Sequence, residues 1–593
     1  PTLSFSDLSV GTNNKSGRTF LFSPSVRHRF PGLSLDYRLS YSNAATYYDT
    51  DANGSKAGGR HKGTATARLG NIGWTVDRRG DPIYPFIAQT AGPDMLQLNN
   101  YSNLVLTSRN QRGYDSVMGG KLDLRKDLPV VVPAFVKTGF TAQRQERKFW
   151  DGSRRYNYTG VDGVLGTADD NRDLGQFLDR TGITTSDQKK YYGNRGGIPP
   201  WPYSDGIARH KADYPELWKE DVAYGAQLRY QSLRKIRETI AAAYALGNLQ
   251  LGPVAVLGGV RFERTEGSGE GPLSYISPEE RARRAAWVGP VTDAETRRRA
   301  EAQYGRRTTN RGQYDVVLPG LHAKYEIAPG FLTRLSWSTG VGRPGFGNII
   351  PNTTANDDNR TVAVSNPELK PQYAHNYDFS AEYYFRPQGM VSLGLFRKRI
   401  ADYIFTDSSQ FVPTGADNGF DGDYAGYRIT TQANGGFAKI EGLEISYQQQ
   451  LSFLPGWLRG FGVYANATAL RTEGNYGGTA VLTTSSLPNF INRSANLGLS
   501  YRGYDLDLRL QAIHRGKYLT SNSANPALVQ YQEAKTTWNW KSRYAVSRHL
   551  SIFFDLENIF SVPLNTVYAA YADRVVSSRT FHTKIVAGLS GRY

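Results

Sequence analysis

The sequence predicts an all-β chain rolled into a transmembrane antiparallel barrel. Three observations predict it: extended segments with an apolar residue at every second position, tight Pro/Gly turns between them, and connections that alternate short and long. Leu33, Leu35, Tyr37, Leu39 and Tyr41 alternate with Ser34, Asp36, Arg38 and Ser40, which is period two with one apolar face. Leu443, Ile445, Tyr447, Leu451 and Phe453 alternate in the same way with Glu444, Ser446, Gln448, Gln450 and Ser452, and Gln449 is the one polar residue on the apolar side. Leu550, Ile552, Phe554 and Leu556 oppose Ser551, Asp555 and Glu557.

The turns fit this register. Leu497, Leu499 and Tyr501 form one apolar face, Leu506, Leu508, Leu510 and Ala512 the next, and only Arg502-Gly503-Tyr504-Asp505 lies between. Similar reversals occur at Leu454-Pro455-Gly456-Trp457, Arg386-Pro387-Gln388-Gly389, Ile327-Ala328-Pro329-Gly330 and Ser547-Arg548-His549, where Pro or Gly often presets the turn dihedrals. Long segments follow the short turns, at 150–220, 266–312, 343–372, 405–434, 471–490, 517–530 and 560–579. Sorting of this kind is typical of outer-membrane barrels, with short turns on the periplasmic side and long loops outside. The count is about fifteen strands from residue 114 onward, with three to five more expected in residues 1–113, so about 18–20 in all. The last strand, Ile585 to Tyr593, puts Ile585, Ala587, Leu589 and Tyr593 on one face; Leu589 and the terminal Tyr593 read as a barrel-assembly signal, and the C-terminus is expected in the periplasm.

Composition agrees with this architecture. Mean hydropathy is −0.51, a value a barrel keeps because only every second strand residue meets lipid. No apolar run approaches the roughly 18–20 residues of a membrane-spanning helix. A spanning sheet must therefore close, since open edges would leave N–H and C=O groups unpaired in hydrocarbon. The 38 Tyr and 26 Phe suit interfacial girdles, and equally a carbohydrate-binding sandwich. There is no cysteine, which excludes disulfides and thiolate metal sites. The net charge of +18 would draw lipopolysaccharide phosphates or an anionic ligand, so outer-membrane lipid and lipopolysaccharide are expected partners. No nucleic-acid-binding motif accompanies the charge.

One segment departs from the strand pattern. Ser277–Gln303 reads as a single basic helix inside the 266–312 loop, capped by Ser277 with Pro278, Glu279 and Glu280 in its first turn. Arg281, Arg283, Arg284, Arg297, Arg298 and Arg299 make it either a solvated basic face or a ligand or lipid site.

From about residue 235 to 593 a set of ordered motifs resembles the barrel of TonB-dependent outer-membrane receptors. They are Gly259-Val260-Arg261-Phe262-Glu263-Arg264-Thr265, Val341-Gly342-Arg343-Pro344-Gly345-Phe346 with Ile350-Pro351, Asn366-Pro367-Glu368-Leu369-Lys370-Pro371, Asn376-Tyr377-Asp378 and Glu382-Tyr383-Tyr384-Phe385. Phe396-Arg397-Lys398-Arg399-Ile400 with Asp402, Gly436 through Glu444, and Asn558-Ile559-Phe560 continue the series. The resemblance implies a 22-stranded barrel around a plug. It also implies a TonB-binding box ahead of the plug and the inner-membrane TonB complex as a further partner. Residues 1–113 read as barrel strands and loops instead, so the plug is expected upstream of Pro1, absent from residues 1–593.

Several motifs test other chemistries. Gly340-Val341-Gly342-Arg343-Pro344-Gly345 matches GxGxxG in form but no helix follows it, as a dinucleotide site would need. Asp49 to Ser55 imitates half a calcium loop, yet its twelfth position is Arg60, not Glu. Asp162, Asp169, Asp170 and Asp173 form a Gly-punctuated acidic run that reads as an ordinary loop or as a structural calcium site. The eight histidines are scattered, there is no HExxH or GxSxG, and no carboxylate pair is marked as catalytic, so no enzyme and no required cofactor is expected. Trp150, Tyr156, Tyr158, Tyr191, Tyr192, Trp201, Tyr203 and Trp218 crowd the 150–220 loop, where rings stack on sugars or planar chelates, or on one another. The expected function is energy-coupled uptake of a bulky scarce solute: siderophore, cobalamin, oligosaccharide or peptide. The alternative is a scaffold barrel without active transport; a passive porin and a soluble glycan-binding protein are further rivals.

Overall fold

The structure, a computed structural model, describes residues 4–591 apart from 51–60, 81–84, 172–173, 179–200, 358, 477–481, 485, 524 and 572–573. Among the described residues one antiparallel barrel wall, joined by three short strands at Thr353–Asn356, Thr361–Val364 and Leu482–Thr484, is carried by eighteen strands. In chain order they are β1 (Lys15–Phe22), β2 (Ser25–Phe30), β3 (Leu33–Asp49), β4 (Asn110–Asp127), β5 (Ala134–Asp151) and β6 (Arg234–Leu251). Next come β7 (Val254–Pro272), β8 (Arg307–Ala328), β9 (Phe331–Gly342), β10 (Gln372–Phe385), β11 (Gly389–Asp407) and β12 (Arg428–Gln450). The wall ends with β13 (Phe461–Tyr476), β14 (Arg493–Gly503), β15 (Leu506–Arg515), β16 (Lys535–Ala545), β17 (Leu550–Glu557) and β18 (Lys584–Gly591). β1 and β2 pair with opposite halves of β3, so they are two pieces of one stave.

Connections alternate as the turn chemistry requires. The short ones run 31–32, 128–133, 252–253, 329–330, 386–388, 451–460, 504–505 and 546–549; the long ones run 50–109, 152–233, 273–306, 343–371, 408–427, 477–492, 516–534 and 558–583. Tyr504 and Asp505 both take positive φ, 52° and 61°, the twist a two-residue reversal needs. No described helix is long and apolar enough to cross a membrane.

Register sorts the side chains. Tyr37, Leu122, Phe140, Ala243, Phe262 and Val317 stand in one row across six neighbouring strands, all on the outer face. A second row runs Leu335, Phe379, Leu395, Leu443 and Ala469. Leu39 and Leu335 are more than 60% exposed, so these leucines are not core. The residues between them, such as Asp36, Asp123, Ser336, Ser392 and Glu444, face inward.

The largest buried core therefore lies outside the wall, in a head at the long-connection end. Ser4–Gly11, Thr64–Asp77, Phe86–Ala91, Ser102–Thr107, Arg155–Tyr158 and Trp218–Glu220 form one sheet, packed around Ile72, Tyr101, Leu174 and Ile207. This corrects the expectation for residues 1–113: only 15–49 and the start of β4 belong to the barrel, and the rest of the strands build the head. Head strands alternate too, so periodicity alone cannot say which sheet they join. Among the described residues four α-helices sit in the long connections: α1 (Ser204–Asp213), α2 (Val222–Gln231), α3 (Pro278–Ala285) and α4 (Asp293–Tyr304). The single helix expected at 277–303 is thus two. Gly289, at φ +97°, and Pro290 break it, and Ser277 and Thr292 each cap a half by accepting the N–H three residues on.

The register makes a direct prediction. Leu393→Arg, on the outer face of β11, should destabilise the barrel by about 2–4 kcal/mol. Ser392→Arg, on the inner face one residue away, should stay within about 0.5 kcal/mol of the parent. Urea titration of protein folded into lipid vesicles measures both.

Candidate functional site

The inner wall is charged and its charges are organised. Asp123 on β4 receives Lys121 at 2.8 Å, Lys137 at 3.4 Å and the Tyr244 hydroxyl at 2.6 Å. Next to it Arg27 pairs with Asp36, and these residues with Arg38 surround a recess of about 400 Å³. Asp115 accepts from Arg147 at 2.6 Å and from Gln145 at 2.8 Å. Glu263 holds Arg261 at 3.0 Å and also Arg343, while Glu382 pairs with Arg334. A wall of this kind suits a water-filled or polar-filled interior.

At the head, rings converge on His210 of α1. Phe177 and Tyr214 lie 5.1 and 5.0 Å from it, Tyr158 lies 6.0 Å and Trp218 6.3 Å. The Trp218 indole N–H donates to His210 Nδ1 at 3.2 Å. Burial holds this imidazole below its ordinary range, which favours the neutral ring the bond requires. Ion pairs tie the connections together: Lys62 with Asp205, and Arg281 of α3 with Asp423 at 3.0 Å.

Of the eight aromatic residues expected to bind ligand, the head brings three into its core. Tyr156, Tyr158 and Trp218 are buried, Tyr156 beneath the Lys211 ammonium at 3.9 Å. Trp150 stands apart on the outer side of β5. Arg112 lies over its ring at 5.6 Å, and the two line a recess of about 840 Å³ with Arg154, Arg229 and Arg297. Tyr203 is partly exposed just before α1. Trp201 keeps its indole nitrogen buried without an acceptor among the described residues. Tyr191 and Tyr192 lie outside the described residues.

The acidic run is held largely from within, although Asp170 Oδ1 is buried without a hydrogen-bond partner among the described residues. Asp169 accepts from the Asp162 N–H at 3.1 Å and the Thr167 hydroxyl at 2.6 Å, and Asp170 accepts from the Gly166 N–H. The Thr167 hydroxyl, chiefly, draws the Asp169 carboxyl down to about 2. No group of three metal-ligating side chains occurs among the described residues, and Asp173 is outside them. Four of the six arginines of the basic insert are taken up by its own acids. Glu280 takes Arg284 and Arg298 at 2.7 Å each, and Glu295 takes Arg283 and Arg299 at 2.9 and 2.8 Å. Arg298, above all, brings the Glu280 carboxyl to about 2. The GxGxxG match ends β9 and leads into a single turn, Phe346–Asn348, with no helix to hold a pyrophosphate. Leu589 faces outward on β18 opposite Ile552, and Tyr593 is not among the described residues.

A family model described as TonB dependent receptor-like, beta-barrel matches residues 3–559. This chain belongs to that family. The receptor barrel resembles the ferric-catecholate import receptor Fiu of E. coli K12 at 14% identity, over 99% of this chain and 78% of that one, with a TM-score of 0.52. It also resembles the siderophore receptor PiuA of Acinetobacter baumannii at 12% identity, over 99% and 81%, with a TM-score of 0.51. At such identities the likeness is one of fold. No curated protein sequence matches the chain. The family is an outer-membrane one, and the outer apolar rows are its lipid face.

Two outcomes test the head. Trp218→Ala should cost the head about 3–5 kcal/mol of local stability while the barrel stays folded; faster proteolysis within 152–233 with unchanged heat-modifiable migration would report it. Acidification should have a related effect. A histidine whose folded value is depressed contributes fully above its ordinary value of about 6.5, and the contribution is lost as pH falls through the lower folded value. The tryptophan emission assigned to Trp218, by difference from Trp218→Phe, should therefore shift on going to acid, and His210→Phe should abolish the shift.

Proposed function

We propose that this receptor barrel takes up a scarce, bulky solute across the outer membrane, with energy supplied through TonB. The observation that carries the reading is a charged inner wall joined, at one end only, to a head built from long connections. A passive pore needs no such head; capture of a dilute solute needs a broad surface ahead of the lumen. On this reading the long connections face outward and β18 ends in the periplasm. A plug and the inner-membrane TonB complex are the partners, and the recess at Asp123, Lys121 and Lys137 is polar surface for a plug to rest on. Among siderophore, cobalamin, oligosaccharide and peptide, a ferric siderophore is favoured by the names of the two neighbours, an iron-chelate importer and a siderophore receptor.

The test is uptake in cells. Strains lacking this receptor, or lacking TonB, are offered labelled ferric siderophores, cobalamin and oligosaccharides. Both strains should lose accumulation of the same compound, with the ferric siderophores the first expectation. Accumulation that needs the receptor but persists without TonB would overturn energy coupling; accumulation of every compound without the receptor would overturn transport.

A further inference from the structure

At the long-connection end of the inner wall stands a pair of cations that uptake alone does not explain. Arg515 closes β15, and its side chain takes the lumen side, because Leu508, Leu510 and Ala512 take the lipid side at the alternate positions. Directly opposite it in register stands Lys535, the first residue of β16, on the same face. Like charges in that relation repel and weaken the pairing of two strands. The two nitrogens on one edge of the Arg515 guanidinium, Nε and Nη2, are buried and have no hydrogen-bond partner among the described residues. No other described side chain leaves two buried polar atoms unpaired.

The acids nearby are already engaged. Glu533 holds Lys517 at 2.7 Å, and Glu557 holds Lys584 at 3.3 Å. Neither Arg515 nor Lys535 makes an ion pair among the described residues. The inner-face positions beside them, Ser494, Ile513 and Thr537, carry no charge. Tyr518 lies 5.2 Å from the Arg515 guanidinium and Phe581 lies 5.1 Å from the Lys535 ammonium. A ring face eases a cation but supplies no oxygen to a guanidinium edge. Arg147 shows the alternative: Asp115, its register partner on β4, meets it at 2.6 Å. A buried charged donor without an acceptor is costly, and an oxygen brought to it restores what is missing.

We propose that Arg515 and Lys535 hold an oxyanion, a carboxylate or phosphate, of the solute as it enters the lumen. Nε and Nη2 form the side-on fork that matches two oxygens of one such group, and Lys535 adds a point charge from the next strand. Arg515 as a whole is partly exposed, so its guanidinium comes within reach of a group in the lumen once the flexible side chain turns. The pair lies at the head end of the barrel, where a solute arrives. Assigning the oxyanion to a solute rests on the uptake reading, and it narrows that reading. A carboxylate-bearing iron chelate or an acidic sugar fits the pair; a neutral oligosaccharide does not.

The probe is citrate, a tricarboxylate, titrated by calorimetry into the intact receptor in uncharged detergent. Folding of each variant is checked by heat-modifiable migration. Wild type should bind citrate, and inorganic phosphate should compete where chloride at matched ionic strength does not. Arg515→Gln should weaken citrate binding roughly tenfold or more, as loss of charge-assisted hydrogen bonds does. Arg515→Lys, which keeps the charge without the fork, should lose most of the same amount, and Lys535→Gln should lose less. Arg502→Gln, whose parent residue pairs with Asp507 at the short-turn end, should leave binding unchanged. No citrate binding by wild type, or equal binding by folded Arg515→Gln or Arg515→Lys, would overturn the proposal. So would competition by chloride as strong as by phosphate, which would mean diffuse charge only. Arg515-dependent binding in a receptor that takes up nothing would refute the transport reading and leave the anion site standing. Uptake of an oxyanion-bearing solute that Arg515→Gln does not alter would overturn the assignment to the solute.

Discussion

A strand in hydrocarbon has no water to satisfy its amides, so each N–H and C=O along the wall must find its partner on a neighbouring strand. That demand ties every strand to a register, and register decides which side chains meet lipid, because a one-residue slip exchanges the two faces. The barrel ladders respect this. Slips occur only at Glu326–Ala328, beside a short turn, and between Ile400 and Phe405, beside a long connection. Both places lie at the strand ends, away from the middle of the apolar rows. Lipid face, charged wall and the sorting of loops to two ends all follow from pairing that stays in step.

Much of the barrel was legible from residue order because its signal is local. Period two at Leu33–Tyr41 and at 443–453, and reversals such as Tyr504-Asp505, need no distant partner to be recognised, and the strands lie where they point. The head was not legible for the converse reason. Ser4–Gly11 pairs with Thr64–Asp77, and Ser102–Thr107 with Arg155–Tyr158, across separations that leave no mark on either segment. The α3–α4 break was in plain view at Gly289-Pro290 but was outweighed by the run of arginines around it. The aromatic residues of the 150–220 loop could be named but not divided. Burial of Tyr156, Tyr158 and Trp218, and the outward placement of Trp150, come from packing alone.

Charge behaves differently in each part of this receptor barrel. Inside, carboxylates such as Asp123 and Glu263 gather several cations each and form a rigid, patterned wall. In the α3–α4 insert, the acids at Glu280 and Glu295 absorb arginines that looked free in the sequence. On the outer face single carboxylates are shared as well: Glu146 serves Lys148, Lys235 and Arg237, and Glu441 serves Arg397 and Lys439. The net charge of +18 is thus an incomplete guide to where positive potential is displayed.

The head also imposes an order in time. Its strands come from the segment ahead of β1, at 4–11, and from two long connections, at 64–77 with 86–91 and 102–107, and at 155–158 with 218–220. Closing such loops in a free chain costs entropy before any contact repays it. Once β3, β4 and β5 are hydrogen-bonded, their ends already stand side by side and the remaining gaps are short. The cap consequently matures after the staves it joins, and a newly made chain presents an unfinished head until its membrane-embedded part is in place.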